Sequence, residues 1–116
     1  MHRSMMQVFV KNSIEAVVLY QKAFHAEIVC DGGLEHTELD VFGQILAISE
    51  ASHAETITGN TMLFCLHFGK GKEELVRSIV GTLSEGGALA FHGPVDWSPY
   101  MADITDRFGV HWCIFV

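Results

Sequence analysis

His36 and Glu38 are the residues best placed to do chemistry in this chain. They lie two apart in the segment 35–41, which alternates: Thr37, Leu39 and Val41 fall on one side, and His36, Glu38 and Asp40 on the other. Residues at i and i+2 of a strand share a face, so an imidazole and a carboxylate here can reach one ligand. Histidine carries protons near neutral pH, and a nearby carboxylate raises its pKa, which makes the two a candidate acid–base couple. The plainer reading is a polar lining with satisfied hydrogen bonds, since seven histidines in 116 residues make chance neighbours common.

Other chemistry-bearing residues are scattered. Cys113 shares a strand face with His111 and Phe115, which makes it a candidate nucleophile. Cys113 with His36, Glu38 and either His92 or His67 is a candidate zinc set. Gln7 is the polar residue on the Met5/Phe9 face of the first strand. Trp97, Tyr100 and Phe108 surround the segment 92–99, which reads as a flexible loop able to close over an apolar ligand; Trp97 packing at a subunit boundary or sheet edge is the alternative. The candidate ligand-binding set is therefore Gln7, His36, Glu38, His92, Trp97, Tyr100 and Cys113. Gly69-Lys70-Gly71 lacks the further glycine or the Gly-Lys-Ser/Thr of a phosphate loop and is read as a turn.

The elements that must position these residues follow from periodicity. Met5–Val10 is a first strand. Asn12 with Glu15 has capping-box spacing, and the helix after it runs to about Phe24. Ala16, Leu19, Tyr20, Ala23 and Phe24 make one buried stripe. Strands 27–30, 35–41 and 44–49 follow, the last two joined by Phe42-Gly43. Residues 53–60 read as a linker. A second unit repeats the order: strand 61–68, helix 73–85 with Val76, Ile79, Val80 and Leu83 on one stripe and Gly86-Gly87 at its end, short strand 88–91, then a closing hairpin of 100–105 and 110–116. Its turn is Asp106-Arg107-Phe108-Gly109. The last strand is apolar on both sides and should lie inside a sheet. The chain reads as one α+β domain, residues 1–116, of two β-α-β-β-β modules, about 1–52 and 61–116.

Composition narrows the function classes. A net charge of -7, from 14 acidic and 7 basic residues, argues against nucleic acid as a partner. No apolar run reaches the roughly 18 residues of a membrane helix, and the apolar part of the N-terminus is too short for a secretory signal. Three cysteines, Cys30, Cys65 and Cys113, without C-x-x-C spacing suit buried thiols in a reducing cytoplasm.

Three blocks carry a resemblance. The ending D-x-F-G-V-x-W (Asp106 to Trp112) after a Trp-containing loop resembles the PhnB-like branch of the vicinal oxygen chelate superfamily, which also holds glyoxalase I, extradiol dioxygenases and bleomycin- and fosfomycin-resistance proteins. The run Ile14–Phe24 is similar to that family's E-A-x-x-F-Y-x-x-A-F helix. His36-Thr37-Glu38-Leu39, Gly43 and Leu46–Glu50 resemble its H-x-x-L…G…L-x-x-S-D hairpin, with Glu50 in place of Asp. The resemblance implies paired modules in a curved eight-stranded sheet, helices on the convex face, a concave cleft, and a homodimer.

Enzymes of that superfamily hold a divalent metal at positions on the first, fourth, fifth and eighth strands, filled by His, Gln or Glu. Gln7 matches the first. The fourth strand has Glu50 only past its end, the fifth begins Thr61-Met62-Leu63, and the eighth offers Cys113. No cofactor is expected from this set, since hard divalent ions want oxygen and nitrogen donors. The favoured function is metal-free binding of a small molecule. The alternatives are a divalent-metal-dependent lyase, isomerase or dioxygenase, and a dimeric scaffold. PhnB-like sequences have also been labelled ubiquinone-pathway methyltransferases; a chain of 116 residues without a glycine-rich cofactor loop does not fit that label.

Overall fold

The structure, a computed structural model, describes residues 1–51 and 58–116. The predicted linker at 53–60 therefore lies mostly outside the described residues. The chain forms two compact units, Met1–Ile57 and Thr58–Val116.

The first unit runs β1 (Met6–Val10), α1 (Ser13–Phe24), β2 (Glu27–Asp31), β3 (Thr37–Val41) and β4 (Gln44–Glu50); the second runs β5 (Phe64–His67), α2 (Glu73–Leu83), β6 (Ala88–Val95), β7 (Ser98–Thr105) and β8 (His111–Phe115). The sheets have matching orders, β1-β4-β3-β2 and β5-β8-β7-β6. In each, the first strand pairs parallel to the fourth and the other pairs are antiparallel. The duplication expected from element order is thus present in the pairing itself. As expected, β8 lies inside its sheet, between β5 and β7.

Each helix covers one face of its own sheet. Ala16, Leu19, Tyr20, Ala23 and Phe24 of α1 are buried with Val8, Val10, Leu39, Val41, Leu46 and Ile48. Val76, Ile79, Val80 and Leu83 of α2 are buried with Ala102, Ile104, Trp112 and Ile114. The alternation of 35–41 and 110–116 sorts their faces as the sequence predicts, except that His36 stands just before β3.

Four local expectations need correction. The capping box does not form. Asn12 takes a left-handed conformation, φ 62°, with no side-chain cap hydrogen bond. The cap comes instead from Glu50, whose carboxylate accepts the Ser13 N–H at 2.9 Å and the Asn12 N–H at 3.1 Å. The parallel register Val10↔Glu50 brings the end of β4 to the start of α1, which sequence spacing along the helix cannot reveal. The fifth strand is shorter than predicted, since Thr61, Met62 and Leu63 are exposed and precede it.

The loop predicted at 92–99 is a hairpin, not a lid. β6 continues through His92 to Val95, and β7 begins at Ser98. Register shifts between Leu89 and Phe91 and between Gly93 and Val95 absorb the glycine and proline. Gly93 has φ 142°, and Pro94 is tolerated because β6 is an edge strand. Cys30 and Cys65 are exposed rather than buried, and only Cys113 of the three is buried. The apolar residues flanking Cys30 sit on edge strand β2, all of it exposed.

The closing turn is held by one carboxylate. Asp106 is 3% exposed. Its Oδ1 accepts the Phe108 N–H at 2.9 Å and the Val110 N–H at 3.1 Å, and its Oδ2 accepts the Trp112 Nε1–H at 2.9 Å. Asp106→Ala removes the acceptor of all three bonds, and a buried donor left unmet costs about 1–3 kcal/mol. We expect a loss of at least about 2 kcal/mol in urea unfolding; an unchanged midpoint would show that water or a neighbour replaces the carboxylate. Leu39→Asp places an unpaired charge under α1 and should abolish folding, checked by the loss of a cooperative melt.

Candidate functional site

In the first unit the chemistry-bearing side chains lie on the sheet face away from α1. The registers align Gln7, Ala47, Glu38 and Cys30 across the four strands. Gln7 donates its amide N–H to Ser49 Oγ at 3.0 Å and to the Val8 carbonyl at 3.1 Å. Glu38 is 4% exposed and doubly held. Arg3 grips it through two bonds, Nη1 to Oε1 at 2.6 Å and Nη2 to Oε2 at 3.0 Å. His36 Nε2 lies 2.8 Å from Oε2.

This geometry changes the role of Glu38. The hydrogen bonds from Arg3, then that from His36, hold the carboxyl at a pKa of about 2 against the opposing effect of burial. Such a carboxylate stays ionised and is a poor proton acceptor at neutral pH. The structure brings His36 and Glu38 together as the spacing predicts, but as two members of a three-residue ionic cluster. Arg3 went unseen because it precedes β1 and lies 35 positions from Glu38, with no periodicity to link them.

In the second unit, Cys65, Cys113 and Asp103 are aligned in register across β5, β8 and β7. His67, Phe115 and Met101 form the next row. The Phe115 ring stacks on His67 at 4.5 Å and meets Trp97 edge-on at 5.0 Å. Burial pushes the Cys113 thiol up to a pKa of about 11, and the facing Cys65 adds to the shift. The thiol is therefore protonated at neutral pH and is no activated nucleophile. Nδ1 of His111 engages Thr105 Oγ1 at 2.9 Å. An open hollow of about 330 Å³ adjoins these two, bounded also by Thr58, Gly59, Asn60 and Gly109.

Tyr100 and His92 fall on the other face of this sheet. Tyr100 is 4% exposed, with the Arg77 guanidinium of α2 4.1 Å from its ring centre. His92 pairs with Ala102 and approaches the Tyr100 ring edge-on at 6.2 Å. Phe108 sits beside Arg107. The aromatic group expected of Trp97, Tyr100 and Phe108 is thus divided, and Trp97 joins Phe115 and His67 instead. Strand alternation of 98–105 carries the signal, hidden when 92–99 is read as a loop.

Among the described residues, no group of three or more His, Cys, Asp or Glu is placed to hold a metal ion. The resembled metal positions also fail on chemistry. The Gln7 amide is engaged, Glu50 caps α1, Thr61–Leu63 precede β5, and Cys113 is a neutral buried thiol. This donor set does not fit a hard divalent cation.

No family model matches the sequence, and no curated protein matches it significantly. Solved structures do match in fold. Protein PA1353 from Pseudomonas aeruginosa superposes with a TM-score of 0.80 at 21% identity, covering 99% of this chain and 97% of that one. The PhnB protein from Bacillus cereus, described as a 3-demethylubiquinone-9 3-methyltransferase, gives 0.78 at 21% identity, covering 98% of each chain. The fosfomycin resistance protein FosX from Listeria monocytogenes, in complex with Mn(II) and 1S,2S-dihydroxypropylphosphonic acid, gives 0.68 at 18% identity, covering 97% of this chain and 87% of that one. The chain shares the fold of these proteins, and each of its two units has the βαβββ order that the sequence blocks imply.

The ionic cluster makes a pH-dependent prediction. Glu38 has its folded pKa depressed from 4.5 to about 2, so its contribution is fully present above the unfolded value and is lost as pH falls through the folded one. Glu38→Gln should lower the melting midpoint at pH 7. The gap to the wild type should be flat above about pH 6 and close between about pH 5 and pH 2. A gap independent of pH would mean that packing, not charge, holds Glu38.

Proposed function

We propose that this protein binds a small organic molecule on the sheet face of its second unit that α2 leaves uncovered, without the divalent metal of the fold's enzymes. One observation carries the reading. Trp97 stands 59% exposed in a T-shaped contact with Phe115, which in turn stacks on His67. An exposed aromatic surface fixed by its neighbours loses little side-chain entropy when a flat or cationic ligand settles on it. A separate hollow at Thr105 and His111, four residues along β8 from Phe115, presents hydroxyl and imidazole groups on the same face.

The first unit's uncovered face carries its own polar candidates, His36 and Gln7, with Glu38 and Arg3 holding His36 in place. His92 and Tyr100 are support residues behind the sheet. Cys113 is treated as a neutral lining group. A homodimer belongs to the same reading, supported by the apolar side chains on edge strands: Ile28 and Val29 on β2, Leu89 and Phe91 on β6. Among the described residues no helix is long and apolar enough to cross a membrane.

The test is a screen of aromatic and cationic small molecules by tryptophan fluorescence and thermal shift, with Mn(II) alone as a parallel arm. A ligand that quenches Trp97 should lose at least about tenfold in affinity in Trp97→Ala, about 1.4 kcal/mol, while the melting midpoint barely moves. Tight Mn(II) binding near one per chain would replace this reading with that of a metal-dependent lyase, isomerase or dioxygenase. His36→Ala should leave stability nearly unchanged, because the imidazole is only half buried.

A further inference from the structure

The pairing of β5 with β8 sets two thiols side by side. Cys65 and Cys113 are direct register partners on adjacent parallel strands, so their side chains leave the same face of the sheet. Neither is in a disulfide. Cys65 is exposed and Cys113 is buried, so the pair can be reached from solvent through Cys65. The two sulfurs are close enough for Cys65 to perturb the Cys113 thiol. Met101 brings a thioether to the same face, one row further along the neighbouring strand.

Hard cations are disfavoured here, because a buried, protonated thiol does not give up its proton to an ion that prefers oxygen. Soft monovalent d10 cations behave differently. They prefer thiolate and thioether sulfur and accept low coordination numbers, so two sulfurs suffice. This also reconciles the pair with the want of a third His, Cys, Asp or Glu ligand among the described residues.

We propose that Cys65 and Cys113 form a two-thiolate site for a soft monovalent d10 cation of the Cu(I) type. Two S–H bonds break, two sulfur–copper bonds form, two protons pass to solvent, and copper stays Cu(I). The site shares its sheet face with the small-molecule reading, but its test reads copper bound to the two thiols rather than a ligand on Trp97. Cys30 lies on β2 of the other unit and takes no part.

The test uses the reduced full-length chain, titrated anaerobically with Cu(I) against a colorimetric Cu(I) chelator. The wild type should hold one copper per chain, and Cys65→Ser and Cys113→Ser should each reduce affinity at least a hundredfold. Cys30→Ser should bind as the wild type does. Cys65 is exposed, so Cys65→Ser remains informative even where Cys113→Ser folds poorly. Because both thiols lose protons on binding, affinity should rise with pH by up to about a hundredfold per unit below the thiol pKa values. Failure to compete with the chelator would overturn the proposal, as would copper uptake insensitive to Cys65→Ser or equally lost in Cys30→Ser. Preferential tight binding of Zn(II), with Cu(I) ignored, would overturn it as well.

Discussion

The parallel pairing of first strand with fourth is the constraint on which each unit depends. A parallel neighbour cannot be reached by a tight turn, so a crossover is required, and here the helix supplies it. The helix must return across one sheet face, which commits that face to core. It also puts the fourth strand inside the sheet, hydrogen-bonded at both edges, with one face against the helix. Leu46 and Ile48 in one unit, Trp112 and Ile114 in the other, meet the helix at zero exposure. The chemistry-bearing side chains, His92 and Tyr100 apart, are thereby sent to the opposite face.

On that face the two units have diverged. The first carries charge: a carboxylate tied to a guanidinium and an imidazole, with the amide of Gln7 bonded to Ser49. The second carries soft and aromatic groups: two thiols, a thioether, and the Trp97–Phe115–His67 stack. One topology therefore presents two different surfaces, because the residues facing away from the helix carry little of the folding burden. Fold likeness at about 20% identity is compatible with this freedom.

The fold was legible in the sequence because its signals are periodic and local. The stripes Ala16–Phe24 and Val76–Leu83 and the alternation of Thr37, Leu39 and Val41 each reflect burial against one partner. The site was legible only in part. His36 and Glu38 are two apart, and a strand makes that a contact. Arg3 joins them across 35 positions, the Glu50 cap spans 37, and the Cys65–Cys113 pair depends on a register between strands far apart in sequence. Such contacts are products of tertiary pairing and leave no local pattern. The misread segment 92–99 has a different cause: Gly93 and Pro94 ordinarily end strands, but a bulged edge strand accommodates both.

The cap supplied by Glu50 ties the helix to the sheet in time as well as in space. The amides of Asn12 and Ser13 have their acceptor only once β4 is docked beside β1. The first turn of α1 is therefore not an autonomous nucleus: closing the loop between strands 1 and 4 precedes its full stabilisation. In hydrogen exchange those two amides should belong to the same cooperative opening unit as β4, rather than fraying with the helix end.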